Sequence, residues 1–184
     1  MVFGLFRRRT RPSEYALYGA IVAQARQPAF YAALSVPDTV DGRFDMMILH
    51  AVLLFRRLQG EGKEAAATSQ AVFDLFFRDM DASLREMGIS DNRVPKKVRK
   101  MAEAFYGRAA AYGEALDSGN AQDLAAAIGR NIFTEAANPP ACDKLALYMM
   151  DAVKTLADLP LDDIMAAKLA WPDVPALEGT PNHD

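Results

Sequence analysis

Arg43-Phe-Asp-Met-Met-Ile-Leu-His-Ala-Val-Leu-Leu-Phe-Arg-Arg-Leu-Gln59 is the stretch whose reading decides the fold. Phe44, Met47, Ile48, Ala51, Leu54, Phe55 and Leu58 recur at helical spacing, and Val52 and Leu53 extend the apolar surface most of the way round. A helix apolar on nearly every face must be enclosed by other elements. The stretch therefore predicts a central helix, ended by the turn formers Gly60-Glu61-Gly62.

Working outward, the helical period continues and strand alternation is missing. Downstream, Lys63 to Met87 carries a stripe of Phe73, Phe76, Phe77, Met80, Leu84 and Met87, with Gly88 suited to its C-cap. A helix from Pro95 to Leu116 follows, with Val98, Met101, Phe105, Ala109, Tyr112 and Leu116 inward. A shorter one after Asn120 uses Leu124, Ile128 and Ile132. Asn138-Pro139-Pro140 reads as a break before a helix over Asp143–Leu159, and Pro160 as the start of a last short one. Upstream, Ser13 is the expected cap of a helix reaching Arg26, and Pro28 opens a short segment to Leu34. Val36 to Gly42 reads as an ordered loop. The expectation is an all-α fold: a single compact bundle of about six to eight helices with flexible termini. It divides into a basic and apolar segment 1–12, a helical domain 13–171 and a flexible tail 172–184.

At 184 residues, 51% hydrophobic and 24% charged, the chain has enough apolar material for one domain with a substantial core. A net charge of −3 argues against a general nucleic-acid binder, so DNA is not an expected partner. The single cysteine, Cys142, leaves no internal disulfide and no cysteine metal cluster. No apolar run reaches the roughly 18 residues that span a bilayer.

Positive charge is nevertheless concentrated in two places. Arg93, Lys96, Lys97, Arg99 and Lys100 crowd the start of the helix at Pro95, where the helix dipole already supplies positive charge. Each cation there costs about 0.3–1 kcal/mol. Accepting that cost suits a surface for an anionic partner; a solvated charged face is the plainer alternative. At the N-terminus, Phe3, Leu5 and Phe6 with Arg7, Arg8, Arg9 and Arg11 have the make-up of a weak lipid-surface contact. A disordered tail and an organelle presequence are the other readings of that segment.

Catalytic templates find little. Neither His50 nor His183 has a glutamate three residues before it, as a di-iron bundle needs. Zinc-protease, nucleophile-elbow and phosphate-loop motifs are missing too. His50, beside the central stripe, reads as a neutral core histidine. Asp74–Arg78 and Asp81–Arg85 have the i,i+4 spacing of surface pairs. Asp79 and Glu86 are the less explained acids, expected to pair with Arg43 or the 93–100 cluster. The methionines, among them Met46, Met47, Met80, Met87, Met101, Met149 and Met150, are expected mostly in the core, with two or three left as a pliable surface. No catalytic residue, metal or cofactor is expected.

Phe30-Tyr31, then Val36-Pro-Asp-Thr-Val-Asp-Gly-Arg-Phe-Asp45 and Leu49-His50, resemble the ubiquinol–cytochrome c chaperone family. Phe76-Phe-Arg-Asp-Met-Asp-Ala-Ser-Leu-Arg-Glu-Met-Gly88 and Lys100-Met-Ala-Glu-Ala-Phe-Tyr-Gly-Arg108 carry the same resemblance. Within the loop the motif residues are Pro37, Asp38, Thr39, Asp41, Gly42 and Arg43; Ser35 departs from a glycine expected there. The resemblance implies a non-enzymatic assembly chaperone of the cytochrome bc1 complex. Its client would be newly made cytochrome b, with the ribosome or an anionic membrane surface as further partner. Mitochondrial members carry a longer targeting extension, so a bacterial member is expected, cytoplasmic and peripheral on the inner membrane. The expected working surface is a groove between the helices 43–59, 63–87 and 95–116. Two alternatives stand beside it: a metal- or haem-dependent enzyme using His50 and nearby carboxylates, and a soluble helical scaffold.

Overall fold

The computed structural model describes residues 10–175. They form α1 (Pro12–Ala25), α2 (Pro28–Ala32), α3 (Val40–Leu58), α4 (Lys63–Glu86), α5 (Val94–Ser118), α6 (Ala121–Ile132), α7 (Pro139–Asp158) and α8 (Leu161–Met165), with no strand among the described residues. As the sequence predicts, α3 is central: α1, α4, α5, α6 and α7 all pack on it. Every residue from Phe44 to Leu54 is buried.

The helix ends follow local chemistry, and four differ from expectation. Thr39 caps α3, its hydroxyl accepting the Gly42 N–H at 3.1 Å, so this helix begins within the motif loop instead of at Arg43. Pro12 and not Ser13 opens α1, and the Glu14 carboxylate takes the Arg11 N–H at 2.7 Å. Asn138-Pro139-Pro140 is a start, not a break: the Asn138 side chain accepts from the Ala141 N–H at 3.3 Å, and the prolines occupy the first turn of α7. Val94 precedes Pro95 in the first turn of α5.

Ser35 takes the left-handed conformation, φ +54°, which explains why a glycine would suit it. Gly42 has the opposite constraint: a Cβ there would stand 2.0 Å from the Pro37 carbonyl oxygen. After α8, Trp171 and Val174 pack against the core.

Contacts along the helices fix which ends lie together. Arg11 meets Glu64 and Tyr18 meets Asp79, so α1 and α4 run in the same direction. Phe44 against Phe76 shows α3 running back along α4. One end of the bundle therefore gathers the C-termini of α1 and α4, the short α2, and the starts of α3 and α5.

Candidate functional site: an apolar groove and a cationic helix start

The helices α3, α4 and α5 leave a groove of about 520 Å³ between them. Val52, Phe55 and Leu58 of α3, Ala66 and Phe73 of α4, and Phe105, Tyr106, Ala109 and Gly113 of α5 line it, with Arg56, Gln59, Ser69 and Gln70 as polar margins. The amphipathic stripes explain it: each helix carries more aromatic surface than its neighbours cover. Phe73 packs tilted against Phe77 and Tyr106 and edge-on to Phe105, with centroids 4.7, 5.7 and 5.3 Å away, so the wall is built from interlocked rings. Tyr106 remains 61% exposed. At one margin Arg56 pairs with Asp117 at 2.5 Å, tying α3 to α5.

Arg93, Lys96, Lys97, Arg99 and Lys100 are all exposed at the start of α5. Arg99 pairs with Glu103 at 3.1 Å. The other four have no carboxylate at ion-pair distance among the described residues, so their charge faces outward. Phe3, Leu5, Phe6, Arg7, Arg8 and Arg9 lie outside the described residues. Arg11, grouped with them by sequence, holds Glu64 at 2.5 Å.

His50 has both ring nitrogens engaged inside the core. Met46 can only accept through its carbonyl, 2.8 Å from Nδ1, so Nδ1 carries the proton; Nε2 then accepts from the Tyr148 hydroxyl at 2.8 Å. The Gln24 amide donates to the same hydroxyl at 3.0 Å, and the Trp171 ring lies edge-on at 5.1 Å. Burial lowers the His50 pKa to about 4. This is the neutral core histidine that its position predicts, with no nitrogen free for a metal or haem iron.

The acids divide differently from expectation. Asp79 accepts from the Tyr18 hydroxyl at 2.6 Å, while Arg43 is held by Asp38 at 2.6 Å, so the expected Asp79–Arg43 pair does not form. Asp81 pairs with Arg85 at 2.6 Å as its spacing predicts. Asp74 instead takes the Gln70 amide, and Arg78 donates to the Tyr15 hydroxyl. Among the described residues the methionine surface is not formed: Met46, Met47 and Met149 are buried, Met80, Met101 and Met150 pack against the core, and Met87 is the exposed one in that group.

Most of the motif residues make contacts that shape the loop. Thr39 caps, Gly42 admits the Pro37 carbonyl, Asp38 clamps Arg43, and Arg43 lies over the Tyr31 ring at 6.0 Å. Asp41 is exposed in the first turn of α3. Two motifs also meet in space. Arg108 Nη2 stands 2.8 Å from Asp45 Oδ1, an ion-pair distance, but off the hydrogen-bonding direction. Asp45 Oδ1, Arg108 Nε and the Tyr112 hydroxyl are buried with no hydrogen-bond partner among the described residues. Burial outweighs Arg108 and raises the Asp45 pKa to about 7.

The ubiquinol-cytochrome C chaperone family model matches residues 32–171, a span that takes in the motif loop and all three groove helices. The chain belongs to that family. The crystal structure of the Cbp3 homolog from Brucella abortus has the same fold: 41% identity, a TM-score of 0.82, and coverage of 90% of this chain and 91% of that one. The ubiquinol-cytochrome-c reductase complex assembly factor 1 of Xenopus laevis is 25% identical over 157 residues, covering 84% of this chain and 78% of its own. Its Drosophila melanogaster counterpart is 24% identical over 170 residues, 89% of this chain and 65% of its own. For the Mus musculus protein the matched share of its length falls to 53%. This member of the chaperone family thus corresponds to only part of several longer animal relatives. No helix among its described residues is long and apolar enough to cross a membrane.

Proposed function

We propose that this family member is an assembly chaperone acting by adhesion, and that the groove between α3, α4 and α5 holds an apolar helix of an unassembled membrane protein. The client is newly made cytochrome b of the ubiquinol–cytochrome c reductase complex. One observation carries the reading: an open groove of about 520 Å³, walled by interlocked aromatic rings, on a chain of this family. An amphipathic or apolar helix docks in such a groove through side chains at i, i+3, i+4 and i+7. The polar margins Gln59, Ser69 and Gln70 can meet the backbone or flanking polar groups of that helix.

Arg93, Lys96, Lys97, Arg99 and Lys100 add an electrostatic contact to an anionic surface, which speeds encounter and contributes affinity that salt screens. No step of this mechanism transforms a substrate. A photo-crosslinking residue at Gln70 in cells should capture cytochrome b, and the same residue at Glu135, away from the groove, should not. Equal capture at both positions would refute the groove as the seat of the client.

A further inference from the structure

A second pocket, of about 480 Å³, opens between the end of α1, α2 and the start of α3. Its walls are Arg26, Pro28, Tyr31, Ala32, Asp38 and Arg43. Tyr31 is fixed there, its hydroxyl donating to the Ala25 carbonyl at 2.7 Å. Arg43 uses only Nε on Asp38, at 2.6 Å, so its two terminal nitrogens have no hydrogen-bond partner among the described residues. Arg26 is exposed, with no carboxylate at ion-pair distance among the described residues. Two guanidinium forks with unused donors therefore flank one aromatic ring, the arrangement that suits a phosphate oxyanion.

We propose that this pocket binds the phosphate of an anionic glycerophospholipid headgroup. The pocket lies at the end of the bundle that also bears the start of α5, so Arg93, Lys96, Lys97 and Lys100 extend positive charge beyond what a single soluble phosphate would meet. Of the acids at that end, Asp38 is held by Arg43, Asp81 and Asp91 by Arg85, and Asp79 by the Tyr18 hydroxyl, while Asp41 and Glu86 stand exposed with no ion pair among the described residues. Pro28, Ala32 and the Tyr31 ring give an apolar wall for the glycerol portion. The proposal goes beyond the groove reading and stands if the groove proves to hold another occupant.

The test is flotation of the full chain with phosphatidylcholine vesicles, with and without phosphatidylglycerol, using inorganic phosphate as competitor at constant ionic strength. The chain should float only with the anionic vesicles, and phosphate should displace it. Arg26→Ala should weaken binding about five-fold, the share of one cation at a lipid surface. Arg26→Lys should also weaken it, because the charge stays but the fork is lost, and Asp38→Asn should tighten it. An Arg26→Lys variant that binds like the original chain would overturn the pocket, leaving only diffuse charge. Phosphate-dependent thermal stabilisation without vesicle binding would overturn the lipid assignment, as would binding to RNA but not to anionic vesicles.

Discussion

Burial holds the Asp45 carboxyl up at about 7, against an ordinary aspartate near 3.8. Between those values the folded chain keeps a proton that the unfolded chain has released, so this residue makes stability fall as pH rises from about 4 to about 7. His50 works the other way. Its pKa is lowered from 6.5 to about 4, so the unfolded chain binds a proton that the folded chain refuses. Stability from His50 is therefore complete above pH 6.5 and is lost as pH falls toward about 4. The two slopes oppose each other across their shared window, each limited to about 1.4 kcal/mol per pH unit. Asp45→Asn should unmask the His50 slope, so urea midpoints climb more steeply with pH between 4 and 6.5 than in the unaltered chain. His50→Gln should unmask the opposite slope. A uniform shift of the Asp45→Asn curve, with its slope unchanged, would show that Arg108 keeps Asp45 ionised throughout. At this scale the sequence was only half legible: the apolar company of His50 announced a core histidine, whereas nothing local linked Asp45 to an arginine on another helix.

Among the elements, α5 has the clearest conflict between stability and the role proposed for it. Its first turns carry Lys96, Lys97, Arg99 and Lys100 against the positive end of the helix dipole, and only Arg99 is answered by a carboxylate, Glu103. Replacing Lys96 and Lys97 by glutamate reverses an unfavourable interaction of about 0.3–1 kcal/mol each, so the thermal midpoint should rise. The same double variant should lose affinity for anionic vesicles. A variant that is both less stable and still bound would remove the reason given for these cations. Helix existence was readable throughout because each stripe keeps its 3.6-residue period; helix starts were less so. Asn138-Pro139-Pro140 carries two opposite signals, since proline stops a helix from within and begins one from its first turn. The Asn138 cap decides between them. Thr39 is the same case, a cap concealed inside what read as a loop.

For the whole molecule, the periodicity of α3, α4 and α5 shows which residues face inward but not where facing stripes fail to cover each other. Phe73 and Phe105 read as core from sequence, and Tyr106 lies off the stripe; only their packing shows a ring cluster open on one side. The groove draws on the C-terminal half of α3 and the N-terminal half of α4, while the cationic start of α5 and the Arg26–Arg43 pocket lie at the other end. That separation makes the two contacts distinguishable. Ala66 lines the groove yet is exposed, so Ala66→Glu places a carboxylate on the apolar wall without disturbing the core. An apolar helix docking there would bury that charge unpaired, which should weaken binding of a fluorescent cytochrome b helix peptide by about ten-fold or more. The far-ultraviolet circular dichroism and the affinity for anionic vesicles should stay as they are. Lys97→Ala should do the reverse, leaving peptide affinity at high salt unchanged while reducing vesicle binding. If Ala66→Glu binds the peptide normally, the proposed docking in the groove is wrong. If both variants lose both activities together, the two ends do not act separately and the groove and cationic face form a single site.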